Sequence, residues 1–210
     1  MRLVLASTSP RRKELLLLLG VPFDVVAPSF IEQPTTDLVP REQVARFAVG
    51  KARSVALRRP DDLVLGGDTV IESDGLLLGK PRDREDARRM LKSLAGRSHL
   101  VHTAVAVRHE RRSFEAVKVE TATVFMKDNG GEVERYLESG DWSGKAGSYS
   151  IQGRGADLIE KIDGDYTAVV GLPLRAVADL LRLSGYPIEQ GEVEMLYRRK
   201  PYPNWPRFAT

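Results

Sequence analysis

Residues 3–15, Leu-Val-Leu-Ala-Ser-Thr-Ser-Pro-Arg-Arg-Lys-Glu-Leu, join a short apolar strand to a helix through a turn rich in hydroxyl groups. Ser9 before Pro10 predicts the helix start, because serine accepts hydrogen bonds from free backbone N–H groups and proline is tolerated at the first helical position. Arg11 and Arg12 then place cations at the positive end of the helix dipole. Such a helix N-terminus is suited to bind phosphate, and an exposed basic first turn is the alternative. If Arg11 and Arg12 hold phosphate, replacing either with alanine should weaken substrate binding and raise thermal stability slightly, because the conflict with the helix dipole is relieved.

Strand and helix patterns alternate along the rest of the chain and indicate an α/β protein with a mixed sheet. Strands are predicted at 2–6, 23–27, 63–67, 70–78 (a hairpin), 100–107 and 114–126, and two more within 140–173. Helices are predicted at 10–19, 41–57, 83–94, 132–139 and 174–183. We divide the chain into a domain at 1–185 and a polar, proline-containing tail at 186–210, which we expect to be extended and outside the core.

Composition limits the classes of function. The chain has 210 residues, 42% of them hydrophobic and 29% charged, which is ordinary for a globular protein with one large domain or two small lobes. It has no cysteine, and we see neither a signal peptide nor a membrane-spanning run, so we expect a cytoplasmic protein without a membrane partner. The net charge of +3 and pI of about 9.2 favour anionic ligands, but fall short of what a dedicated nucleic-acid binder needs.

Two charged residues lie within apolar patterns. Asp68 interrupts an apolar strand after Gly66 and Gly67, two residues that permit close approach of a ligand, and a carboxylate there is either functional or satisfies a neighbouring turn. Lys51 lies on the apolar stripe of the predicted helix 41–57. Such a lysine either extends to the rim of the core or places its ammonium on a phosphate from a cleft wall.

Other motifs exclude several kinds of site. The segment before Lys80 has too few residues between its glycines for a Walker loop, and Pro81 stands where the Ser or Thr would be. His99 and His102 are three residues apart in a predicted strand and therefore lie on opposite faces, which argues against a shared metal. A divalent metal would need hard carboxylates such as Glu32 or Asp68, which favours Mg²⁺ or Mn²⁺.

Taken together, these motifs resemble the Maf family of nucleotide pyrophosphatases, also called septum-formation-inhibitor proteins. The matching segments are Leu-Ala-Ser-Thr-Ser-Pro-Arg-Arg at 5–12, Gly-Asp-Thr-Val at 67–70, Gly-Lys-Pro-Arg at 79–82, Lys-Ala-Gly at 145–147, Ile-Gln-Gly at 151–153, Gly-Asp-Tyr at 164–166 and Val-Val-Gly-Leu-Pro-Leu at 169–174. The resemblance covers about residues 2–185. It implies an elongated mixed sheet with flanking helices and two lobes around a central substrate cleft.

The resemblance also implies an activity: hydrolysis of a nucleoside triphosphate between the α- and β-phosphates, with a divalent cation, limiting incorporation of non-standard nucleotides. Asp68 would activate the attacking water, and Glu32 would be the second metal carboxylate. Thr69 and Gln152 would contact the region of the base. The triphosphate contacts implied by motif position are Ser7, Arg11, Arg12, Lys51 and Lys80.

The segment at 151–153 resembles the branch of the family that acts on dTTP and UTP. A sister branch prefers 7-methyl-GTP, and the family's older name suggests a nucleotide-responsive regulator of cell division; both remain alternatives. Gly144 and Ser150 depart from the family pattern, which often has Asp and Gly at these positions. We expect no stable nucleic-acid partner, and a homodimer is left open.

Overall fold

The computed structural model describes residues 1–128 and 130–208 and is built on a mixed sheet of seven strands. The strands are β1 Leu3–Ala6, β2 Phe23–Val26, β3 Leu63–Ser73, β4 Leu76–Leu78, β5 Ser98–His109, β6 Phe114–Met126 and β7 Ile159–Asp163. Their order is β2-β1-β3-β5-β6-β7, and β4 pairs with β3. β1 runs parallel to β2 and β3, whereas the pairs from β3 to β7 are antiparallel. The predicted α/β class with a mixed sheet is therefore confirmed.

Eight α-helices flank the sheet in the described part of the chain: α1 Pro10–Leu17, α2 Pro40–Ala56, α3 Arg84–Leu94, α4 Gly130–Glu138, α5 Tyr166–Val170, α6 Leu174–Leu183, α7 Gln190–Arg199 and α8 Trp205–Phe208. The predicted cap is present, since the Ser9 side chain accepts a hydrogen bond from the Arg12 backbone. No helix among these residues is long and apolar enough to cross a membrane.

The sheet separates two apolar clusters. Successive residues of a strand point to opposite faces, so Leu63 and Leu65 of β3 join one cluster, and Val64 joins the other. The smaller cluster lies under α2 and includes Val44 and Ala48. The larger one receives residues of α1, α3, α5 and α6. Burying each of these leucine and valine side chains contributes roughly 1.5–3 kcal/mol.

The two strands predicted within residues 140–173 are in part wrong. One strand, β7, is present, but Ala146–Ser148 and Gly153–Leu158 form 3-10 helices and Tyr166–Val170 forms α5. The physical reason is local: Gly147 and Gly153 have positive φ angles of 63° and 64°, which turn the chain away from an extended path.

The expectation of an extended tail outside the core is also wrong. Residues 190–208 contain α7 and α8, and Trp205 and Phe208 are 2% and 3% exposed within the larger cluster. Val193 and Leu196 of α7 are buried as well. The segment is polar on average, but it carries a few large aromatic and aliphatic side chains. Burial of these side chains stabilises the folded segment enough to hold it on the core.

Candidate active site

Eight of the nine predicted site residues line a single cavity of about 470 Å³. Its walls come from the β1–α1 turn, the loop before α2, α2, β3, the β4–α3 loop, β5, the segment 144–151 and the end of α5. The charged lining residues comprise five cations and two carboxylates, an excess of positive charge that suits a polyanionic ligand. The eight are Ser7, Arg11, Arg12, Glu32, Lys51, Asp68, Thr69 and Lys80.

Lys51 joins the two carboxylates of the cavity. Its Nζ donates to Asp68 Oδ1 at 2.6 Å and lies 2.6 Å from Glu32 Oε1. Lys51 and Asp68 are both buried, whereas the Glu32 side chain is 41% exposed. Burial tends to raise the pKa of Glu32, but the Lys51 ammonium, aided by Lys80 and Arg12, holds this pKa below its usual value. Glu32 is therefore an ionised carboxylate at neutral pH.

The contact between Lys51 and Asp68 depends on close packing of α2 against β3. A Cβ atom at Gly66 would lie 2.4 Å from the Ala48 carbonyl oxygen and 2.8 Å from the Ala52 nitrogen. The sequence interpretation that Gly66 admits a ligand is wrong, because the helix backbone fills that space. The same packing directs Lys51, one turn along α2 from Ala48, at the carboxylate instead of at the rim of the core.

Asp68 does not satisfy a neighbouring turn. The sequence predicts one strand at 63–67 and a hairpin at 70–78, but the structure has a single strand, β3, that runs through the first and on into the hairpin. Asp68 lies within β3 and pairs with Ala104 of β5. Within the described residues, its Oδ1 accepts from Lys51 and its Oδ2 accepts no hydrogen bond. One carboxylate oxygen is therefore held in place, and the other is left for a ligand.

Arg12 braces the wall of the cavity. Its side chain is 12% exposed, Nε donates to the Gly171 carbonyl at 2.9 Å, and Nη2 donates to Thr69 Oγ1 at 3.1 Å. Nη2 also lies 3.9 Å from Asp68 Oδ1. Burial lowers the pKa of Arg12, and the charge of Asp68 opposes that effect. The alternative of an exposed basic turn is therefore wrong for Arg12, which links α1, β3 and the end of α5.

Arg11 points along a different wall. Its Nη1 donates to Ser150 Oγ at 3.3 Å, and Ser150 Oγ also accepts from the Gln152 backbone N–H. Burial, followed by the charge of Arg12, lowers the pKa of Arg11. Lys145 stands nearby, and burial and the charge of Arg11 lower its pKa too. Arg11 and Lys145 thus form a second cationic region with few compensating carboxylates.

We expect Arg11→Ala and Arg12→Ala to differ in thermal stability. Arg12→Ala removes two hydrogen bonds of a buried cation and should lower the free energy of unfolding by roughly 1.5–3 kcal/mol. Arg11→Ala removes one long bond and relieves charge at the helix N-terminus, so its melting temperature should stay near that of the parent. The sequence expectation that both variants gain stability is thus revised for Arg12. If thermal denaturation showed the same decrease in melting temperature for both variants, this distinction would be wrong.

Gln152 is the predicted site residue that does not line the cavity. It is half-buried beside Ile151, which is buried and does line it. Its contact with a base stays a prediction. The lining residues that the sequence interpretation gave no role include the polar side chains of Lys145, Tyr149 and Ser150. Lys145 was visible in a matching motif, whereas the hydrogen bond from Arg11 to Ser150 spans 139 positions, so no local pattern could reveal it.

The donors in the cavity suit a metal that shares its ligands with a substrate. No group of three or more His, Asp or Glu that could hold a metal occurs among residues 1–128 and 130–208. Glu32 and Asp68 each give one oxygen to Lys51. The remaining two oxygens are hard ligands that fit Mg²⁺ or Mn²⁺ only if phosphate oxygens and water complete the coordination.

The histidines serve other purposes. His99 Nε2 lies 2.7 Å from Tyr149 Oη, and burial lowers the pKa of His99 to about 4. His102 lies between Thr121 and Glu72, with both ring nitrogens 2.8 Å from an oxygen. Each of these imidazoles therefore has its own hydrogen-bond partner.

Comparison with known proteins extends these observations. A model described as Maf-like protein matches residues 2–184. A dTTP/UTP pyrophosphatase of Symbiobacterium thermophilum is 46% identical over 190 residues, covering 90% of this chain and 97% of that protein. The dTTP/UTP pyrophosphatase of Pelotomaculum thermopropionicum is 44% identical over 187 residues, with coverages of 89% and 98%. Among solved structures, the Ham1 protein of Staphylococcus aureus has a TM-score of 0.45 at 13% identity, covering 61% of this chain and 73% of that one.

Proposed function

Because the chain belongs to the Maf-like protein family, we propose that it hydrolyses nucleoside triphosphates, dTTP and UTP above others, to the monophosphate and pyrophosphate. The observation that carries this proposal is the Lys51 bridge between Asp68 and Glu32 in a cavity with an excess of cations. A carboxylate held by one oxygen beside a polyphosphate site suits attack of water on phosphorus.

The cationic residues would bind the triphosphate. We assign the β- and γ-phosphates to the helix N-terminus with Ser7 and Arg11, and to Lys80 of the β4–α3 loop. Pyrophosphate leaves with additional negative charge, and preorganised cations stabilise that charge most in the transition state. Arg12 contributes its charge from a fixed position, because its guanidinium is already tied to Gly171 and Thr69.

Asp68 would orient and deprotonate the attacking water. Lys51 holds Oδ1, so Oδ2 is the oxygen that faces the site, and its two lone pairs would serve the divalent cation and the proton of the attacking water. The Lys51 side chain keeps the carboxylate in one orientation through this hydrogen bond. Glu32, ionised at neutral pH, completes the pair that faces the α-phosphate.

A divalent cation is part of the proposal, and Glu32 and Asp68 are the residues that would hold it together with phosphate oxygens. When bound, Mg²⁺ or Mn²⁺ neutralises phosphate charge and orients the leaving group. The substrate itself is the partner for which the cavity is built. The cytoplasm is the compartment we propose, since a nucleotide-hydrolysing enzyme without cysteine is compatible with it.

Base selectivity is the expected outcome that tests the substrate. Thymine and uracil share one Watson–Crick edge, and cytosine replaces an acceptor with a donor and loses the N3–H. A site that pairs with the thymine edge leaves groups unmatched with cytosine, at roughly 1–3 kcal/mol for each group. We expect dTTP and UTP to exceed CTP and the purine triphosphates by about tenfold or more in kcat/KM. Gln152→Ala should narrow that gap.

Pyrophosphate release from a panel of dTTP, UTP, CTP, purine triphosphates and 7-methyl-GTP measures this directly, with and without a chelator. Activity that depends on added Mg²⁺ or Mn²⁺ supports the metal assignment. Preference for 7-methyl-GTP would place the chain in the sister branch and overturn the assignment of Gln152. Binding of nucleotides without turnover would instead support a nucleotide-responsive regulator.

A further inference from the structure

The C-terminal segment 190–208 lies beyond the residues that match the family model, yet it contacts two loops of the cavity. Asn204 precedes α8, and its Nδ2 donates to the Ile151 carbonyl at 3.3 Å and to the Gly153 carbonyl at 3.4 Å. These two carbonyls flank Gln152. The side-chain amide of Asn204 therefore spans the residue to which we assign the base contact.

Trp205 anchors this segment next to Asn204. Its ring is 2% exposed, stacks on Tyr166 with ring centroids 5.3 Å apart, and meets Tyr197 edge-on at 5.1 Å. Arg207 adds hydrogen bonds to Asp157 and to the Ile159 carbonyl, both at 3.3 Å. A buried, stacked tryptophan has little freedom, so Asn204 is held at a defined place on the surface of the core.

The same segment also holds the second loop. Tyr197 Oη donates to Asp165 Oδ2 at 2.6 Å and lies 2.9 Å from Thr167 Oγ1. Asp165 caps α5, whose end supplies Val169 and Val170 to the cavity wall. Residues 190–208 thus contact both the loop at 151–153 and the N-terminal cap of α5, and each of these segments carries residues that line the cavity or lies next to them.

The loop 150–153 has one further support, from α1. Ser150 accepts hydrogen bonds from Arg11 and from the Gln152 backbone, and a Cβ atom at Gly155 would lie 2.1 Å from the Ser150 carbonyl oxygen. The loop is therefore tightly turned. Arg11 of α1 contacts its start, and Asn204 contacts its end. Removal of either support leaves Ile151 and Gln152 with fewer fixed contacts.

We propose that Asn204 is a positioning residue that sets base selectivity by fixing the 151–153 backbone, and that residues 190–208 serve as a brace of the nucleotide-binding cavity. Asn204 contacts neither the cations nor Asp68, so it acts on binding of the base and not on attack by water. The inference rests on the proposed function for its substrate. Its structural part, the order of the loop, is independent of any activity.

Asn204→Asp tests the proposal with minimal change of shape. It removes the two N–H donors and directs a carboxylate at two carbonyl oxygens. Gln190→Glu is the matched control, because it adds the same charge by the same isosteric change at an exposed position of the segment. The two readouts are hydrogen–deuterium exchange of the backbone amides at 149–155, and kcat and KM for dTTP and CTP.

We expect Asn204→Asp to raise amide exchange in 149–155 and to raise KM for dTTP about fivefold or more, with kcat within twofold of the parent. The ratio of kcat/KM for dTTP to that for CTP should fall, and Gln190→Glu should match the parent in all measurements. Unchanged exchange in Asn204→Asp overturns the brace, even if the parent has no pyrophosphatase activity. Raised exchange with unchanged selectivity overturns the role in base choice, and an inactive parent overturns the proposed function alone.

Discussion

Asp68→Asn is expected to lower kcat by roughly 10²–10⁴-fold while the nucleotide still binds. The substitution is close to isosteric, and its amide oxygen can still accept the hydrogen bond from Lys51, so the local packing should persist. The amide cannot take a proton from water at neutral pH. Loss of one negative charge from a cavity that binds a polyanion should leave KM unchanged or lower it. Steady-state pyrophosphate release over a range of dTTP concentrations separates kcat from KM.

Asp62→Asn is the matched control for this variant. Asp62 is buried, 3% exposed, and bound by Arg2 and Arg59 outside the cavity. Its amide variant should lose some stability and retain kcat at a temperature well below its melting point. If Asp68→Asn turns over at close to the parent rate, the assignment of Asp68 as the group that acts on water is wrong.

Gly66→Ala is expected to have the second large effect, on stability as well as on activity. The added methyl group would lie 2.4 Å from the Ala48 carbonyl oxygen, and because that atom belongs to the backbone, α2 must move away from β3. Overpacking of this kind costs roughly 1–3 kcal/mol. In a protein of this size the melting temperature should fall by several degrees. Since α2 carries Lys51, the contact between its Nζ and Asp68 should lengthen, and kcat/KM should fall with it.

Gly67→Ala provides the comparison at the adjacent position. A Cβ atom there would lie 3.4 Å from the Ala104 carbonyl oxygen and 3.4 Å from Arg12 Nε, which is ordinary van der Waals contact. We expect its melting temperature to stay much closer to that of the parent. Thermal denaturation of both variants, with pyrophosphate release below the transition, measures the difference. Similar melting temperatures for the two variants would contradict the close packing of α2 at Gly66.

Local sequence was sufficient to predict most of the elements. Ser9 and Pro10 mark the start of α1, Asp83 caps α3, and the predicted bounds of the last helix before the tail, 174–183, agree with α6. These features depend on neighbours along the chain, namely capping oxygens, fixed proline φ angles and apolar periodicity. The family resemblance added the order of the motifs, and with it eight of the residues that line the cavity.

Contacts between distant parts of the chain were decided by packing. The orientation of Lys51 depends on how closely Gly66 lets α2 approach, and the bracing role of Arg12 depends on Gly171 and Thr69. No pattern within one element contains either relation.

The C-terminal segment is the clearest case of contacts that local sequence does not predict. Its polar, proline-rich composition predicts an extended tail. Average composition describes how well the whole segment is solvated, and it does not show that single large side chains in it can be buried. The structure instead buries Trp205 against Tyr166 and directs Asn204 at the loop around Gln152. Local propensities determine where helices and strands form along this chain. Which side chains meet depends on the shape of the surface available to them, and that surface exists only once the chain has folded.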